Sequence, residues 1–134
     1  MPGDNLPPHA VVVPDRKAWR RWLSKHHTQA NGVWLVMARK GGDYDAPSVE
    51  EAVDEALCFG WIESKQGRLD ESRSLLWFAP RKPKGAWSGP HQRRVEALEA
   101  EDLMHASGQA KVDEARRAGL WHRLGPAEAP ASGD

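Results

Sequence analysis

The chain has 134 residues, the size of one ordinary domain with a core of its own. Its 19 basic and 19 acidic residues cancel, which argues against the broad field of a general nucleic-acid or membrane binder. A single cysteine, Cys58, excludes an internal disulfide and a multi-cysteine zinc site, and no apolar run is long enough to span a bilayer.

Charge is balanced overall but not locally. Between Asp43 and Glu63 there are seven acids and no Lys or Arg; between Arg81 and Arg94 there are five bases and no acid. Solvated faces of adjacent helices explain such runs simply, and a recognition surface is the competing explanation.

Residues 1–14 read as a flexible lead, 15–122 as one domain, and 123–134 as a disordered tail. The first residues lack the basic-then-apolar order of a secretory signal, so a cytoplasmic location is expected. Asp15 is placed to cap a helix reaching about His27, with Ala18, Trp19, Trp22, Leu23 and His26 along one stripe. After the Asn31-Gly32 turn, Val33–Ala38 is apolar on both faces and β-prone, as a central strand is. Ser48 and Glu51 form a capping box ahead of Val49, Ala52, Val53, Ala56 and Leu57, and Gly60 suits the left-handed position that closes a helix.

Beyond it the pattern turns to β. Residues 61–63 and 74–79 read as strands joined by a polar connection containing Gly67 and Asp70. Pro80 and Pro83 stop the second strand. Ser88 or Gly89 opens a helix with Pro90 in its first turn and Val95, Leu98 and Leu103 on its apolar side. A shorter helix is expected from about Gln109 to Ala118, closed by Gly119. The predicted fold is α+β: a small antiparallel sheet of about three strands packed against about four helices.

The chain resembles the YdeI/OmpD-associated family, also labelled bacteriocin-protection proteins. The resemblance is carried by Trp22-Leu23 with His27, Gly32-Val-Trp-Leu35, Ser48, and above all Ala56-Leu-Cys-Phe-Gly-Trp-Ile62. It continues through Leu69-Asp70, Phe78, Pro80-Arg-Lys-Pro83, Trp87-Ser88, Arg94-Val95, Leu98, Met104 and Gly108, covering most of residues 15–121. The sequence departs from the family pattern at Glu63, Gly85, His91 and Asp102. What the resemblance implies is a stress role linked to protection against bacteriocins or antimicrobial peptides. It implies no catalytic residue.

The basic loop Arg81-Lys-Pro-Lys-Gly-Ala-Trp-Ser88 is the leading site candidate. Arg81, Lys82 and Lys84, with Arg93 and Arg94 further on, supply charge for an anion. Ser88 and the helix start supply hydrogen bonds, and Trp87 supplies a ring for stacking. The alternative for the same residues is a solvated β-to-α connection with Ser88 as a cap and Trp87 as a core plug. A second candidate pocket joins Trp61, Glu63 and Asp70, whose carboxylates could face one cleft across a hairpin. Surface ion pairing is the simpler reading of those acids. Cys58, at a helix C-terminus, reads as structural. No catalytic residue, metal ligand set or cofactor is assigned. The expected partner is an anionic small molecule or protein; the neutral overall charge disfavours nucleic acid, and membrane insertion is not expected.

Overall fold

A computed structural model describes residues 6–29, 31–41, 43–82, 85 and 87–121. Their order is β1 (Ala10–Val11), α1 (Arg16–His26), β2 (Val33–Ala38), α2 (Val49–Cys58), β3 (Trp61–Arg68), β4 (Arg73–Pro80), α3 (Gly89–Ala100) and α4 (Ala106–Arg117). The class is α+β, with the sheet in the spatial order β1-β2-β4-β3. Among the described residues no helix is long and apolar enough to cross a membrane.

The local signals in the sequence form the expected contacts. Asp15 accepts a hydrogen bond from the Ala18 amide at the start of α1. Ser48 and Glu51 close a reciprocal box at the start of α2, which satisfies two otherwise orphaned amides. Gly60 ends α2 with φ +82°, a backbone conformation that costs an L-residue roughly 1–2 kcal/mol.

The sheet differs from the prediction. Among the described residues it has four strands where about three were expected, and it is mixed: β1 runs parallel to β2, while β2–β4 and β4–β3 are antiparallel. The extra strand comes from the segment read as a flexible lead. Ala10 and Val11 pair with Trp34 and Leu35, and Val11 and Val13 are buried in the core. Two residues are too few for any periodicity to announce, so only the company of β2 makes them a strand. The β3–β4 hairpin is also longer than expected. Residues 64–68 are polar because they belong to an edge strand facing water, and an irregularity between Glu63 and Lys65 interrupts its register. The tail from residue 123 lies outside the described residues.

Along β2 and β4 the two sheet faces alternate. Val33, Leu35, Met37, Leu76 and Phe78 join Trp19, Leu23, Leu57 and Trp61 in the core beneath the helices. On the other face Trp34 meets Trp77 edge-on at 5.2 Å, with the Lys65 ammonium 4.7 Å from the Trp77 ring centre. Helix α2 lies at the middle of the helical layer, and five of its apolar side chains, Ala52, Val53, Ala56, Leu57 and Cys58, are buried. Buried indoles find acceptors: Trp19 Nε1 donates to Ala52 O at 3.0 Å and Trp61 Nε1 to His27 O at 3.1 Å.

Helix α4 begins three residues before its expected start, because His105 serves as its N-cap. The helix docks on the α2–β3 turn at very short range. A Cβ at Gly108 would stand 2.2 Å from Cys58 O, so only glycine lets the backbones approach this closely. The Ser107 hydroxyl donates to Phe59 O, and the His105 amide donates to Cys58 O. This docking brings α4 to the end of β4.

Candidate functional site

Where β4 ends, Arg81 turns inward. Its amide donates to Gly60 O at 2.9 Å, tying it to the α2–β3 turn. Its guanidinium lies 3.7 Å from the centre of the Trp87 ring, and the residue is only 7% exposed. A desolvated cation over an indole is worth about 2 kcal/mol, which partly offsets the cost of burying the charge.

From the other side comes Lys111 of α4. Its Nζ donates to Gly60 O and to Arg81 O, each at 3.1 Å. Arg81, Lys82, Trp87, Lys111 and Glu114 together line a cavity of about 30 Å³. Burial lowers the pKa of both Arg81 and Lys111, and the charge of Arg81 lowers that of Lys111 further. Glu63 acts in the opposite sense on Arg81. Among the described residues three cations therefore border one small, half-enclosed space, with the exposed Glu114 at its rim.

The residues singled out from the sequence divide into those the cavity gathers and those it does not. Arg81, Lys82 and Trp87 are gathered. Lys84 lies outside the described residues. Trp87 is 4% exposed and its ring is engaged by Arg81 and by Trp121 at 5.2 Å. It therefore supports the arginine and offers no open face for stacking a base. Ser88 caps α3, accepting from the His91 amide at 3.2 Å. Gln92, fully buried behind it, donates from Nε2 to Trp87 O and fixes the turn.

Arg94 reaches away to Asp54 at 2.7 Å and clamps α3 to α2. Arg93 is half-buried and does not line the cavity; its Nη2 has no hydrogen-bond partner among the described residues.

Trp61, Glu63 and Asp70 do not form one pocket. Trp61 is wholly in the core. Glu63 lies near the start of β3 and Asp70 just past its end. Seven residues of strand place them about 20 Å apart, so they share no cleft. Glu63 faces His91 Nε2 at 3.6 Å, an electrostatic contact rather than a hydrogen bond. Burial pushes the Glu63 carboxyl up, but the nearness of His91, its own amide and Arg94 outweigh this and hold it below the usual range. Asp70 serves the hairpin turn, accepting from the Ser72 and Arg73 amides and from the Arg73 guanidinium; these bonds hold its pKa at about 2. Burial first, then Glu55, pushes the Cys58 thiol up to about 11, the behaviour of a structural cysteine.

A larger hollow of about 400 Å³ runs along α1, lined by Lys17, Arg20, Arg21, Ser24 and Lys25. It is an open groove whose lysines are solvated, and Arg20 is committed to Glu55 and to Leu103 O. The small cavity carries the stronger chemical case, because charge excluded from water binds anions more strongly than charge in water. Sequence reading missed Lys111 and Glu114. Nothing in their neighbourhood along the chain points to Arg81, which lies 30 residues before Lys111.

The class defined by these observations is an α+β domain in which a buried arginine and a half-buried lysine meet at a strand-to-helix corner. The chain belongs to the family described as "Domain of unknown function (DUF8412)", whose model matches residues 11–111. No curated protein and no solved structure matches it.

Proposed function

We propose that this domain is an oxyanion-binding module that receives a carboxylate-sized group between Arg81, Lys82 and Lys111. The observation that carries the reading is the convergence of Arg81 and Lys111 on one cavity, where burial disfavours both charges and Arg81 further disfavours that of Lys111. A bound anion reverses that balance. Arg81, stacked on the Trp87 indole, adds its positive charge to the cavity, and a protonated Lys111 has a third hydrogen beyond the two given to carbonyls. The space of about 30 Å³ favours a small planar head group over a nucleotide base.

The resemblance to the YdeI/OmpD-associated family supports placing this binding in a cytoplasmic stress response tied to bacteriocin or antimicrobial-peptide protection. A nucleic-acid adaptor is the second reading. It is favoured only by the exposed Lys17, Arg21 and Lys25, which recur every four residues along α1.

An NMR titration following the Lys82 and Gly85 amides and the Trp87 indole tests the proposal. Acetate and bicarbonate are expected to shift these signals saturably, ATP no more than inorganic phosphate does, and Arg81→Gln to remove the response. Absence of any anion effect, or an equal effect in Arg81→Gln, defeats the reading. Single-strand oligonucleotide binding that maps to α1 and weakens steeply with salt would favour the adaptor instead.

A further inference from the structure

Lys111 offers more than charge. A neutral primary amine has two N–H bonds and one lone pair. The carbonyls of Gly60 and Arg81, both 3.1 Å from Nζ, accept two hydrogens and leave the lone pair the remaining tetrahedral direction. Lys111 also lines the cavity that Arg81 and Lys82 line. Among the described residues, the charged groups that line the cavity with it are Arg81 and Lys82 from the end of β4 and Glu114 from its own helix. Burial, then the positive charge of Arg81, favours the neutral, nucleophilic form.

We propose that Lys111 is a nucleophilic amine that takes up carbon dioxide as a carbamate beside Arg81 and Lys82. The proposal rests on the oxyanion reading of the same cavity. In the reaction the Nζ lone pair attacks the carbon of CO2 and forms a C–N bond. One C–O π pair moves onto oxygen, and one N–H proton leaves to solvent. Nothing is oxidised or reduced. The product keeps a single N–H, enough for Arg81 O. Gly60 O tolerates the lost donor because it also accepts from the Arg81 amide at 2.9 Å.

Two features select this electrophile. A cavity of about 30 Å³ is on the scale of one small molecule, which a triatomic satisfies and a carbonyl-bearing metabolite does not. The product is an anion formed where two further cations stand, so repulsion between Lys111 and Arg81 becomes attraction. An imine would leave no such charge to bind.

The full chain is equilibrated with 13C-bicarbonate at mildly alkaline pH, trapped with a trialkyloxonium salt, digested and mapped by mass spectrometry. The expected result is a trapped carboxyl on Lys111, severalfold above that on the exposed Lys17, Lys25 and Lys65, with a matching 13C carbamate resonance. Lys111→Arg should remove the resonance, and Arg81→Gln, which leaves the amine in place, should reduce it severalfold. Labelling of Lys111 no greater than that of the exposed lysines overturns the proposal. Acetate titration of the same sample separates the two readings: an acetate response without carbamate defeats only the covalent step, and neither response defeats both.

Discussion

Two regions bury charge in this domain and treat it in opposite ways. Between α1 and α2, Glu55 is 3% exposed but receives Arg20 at 2.8 Å and Arg16 beside it, each about one-third exposed. One buried anion meets two cations that stay wetted along their stems. At the β4–α4 corner, Arg81 and Lys111 converge on a cavity whose carboxylate, Glu114, lies exposed at the rim. In the first arrangement both arginines close directly on the one buried carboxylate. In the second the cations border a space that admits a small guest. Burial alone therefore does not mark a site; the cavity left beside the buried charge does.

That contrast can be broken from either side. The largest effect is expected from Glu55→Ala, which leaves two arginines facing a protein wall without their carboxylate. Loss of a buried partner of this kind costs about 3 kcal/mol, here at the lower end because both arginines can turn to solvent. Chemical denaturation should report that loss, while the acetate response at the corner survives. A parallel loss of acetate binding would show that the two regions are not independent.

Gly108→Ala comes next and reverses the pattern. The new methyl meets the Cys58 carbonyl, which cannot move aside as a flexible side chain could. Overpacking of this kind costs about 2 kcal/mol, and α4 should shift and carry Lys111 away from Gly60 O and Arg81 O. The expected result is lower stability together with a weakened acetate response, although no cation has been changed. Retention of full acetate binding would count against a role for Lys111.

The smallest effect concerns pH. His105 caps α4 by accepting the Ser107 amide at Nδ1, which only the neutral ring can do. Burial, with the charges of His27 and Arg20, holds its pKa below the ordinary histidine value. The unfolded chain therefore takes up this proton first as pH falls. The contribution is full above about pH 6.5 and is lost as pH drops through the lower, folded-state value. Melting temperature should fall between about pH 7 and pH 5, and His105→Asn, whose amide oxygen can cap without titrating, should flatten that fall. An unchanged slope in the variant would remove His105 from the account.

Much of the fold was written in local chemistry that needs few partners. Asp15, the Ser48–Glu51 box, Gly60 and Ser88 mark helix ends, because capping is settled within four residues of chain. The run Val33–Ala38 reads as an inner strand because both of its faces are apolar, and in the sheet it lies between β1 and β4. Arg81, Lys82 and Trp87 were legible as a cluster, since they lie within seven residues. Tertiary structure decided the rest. It turned Trp87 from a stacking surface into the floor beneath Arg81, made Ala10–Val11 a parallel strand, and separated Glu63 from Asp70 along the hairpin. Above all it brought Lys111 to Arg81 through Gly108, whose missing side chain lets two backbones meet. The sequence by itself determined where elements begin and end, because those choices depend on neighbours along the chain. Which charges share a cavity depends on how helices dock, and only the packed molecule decides that.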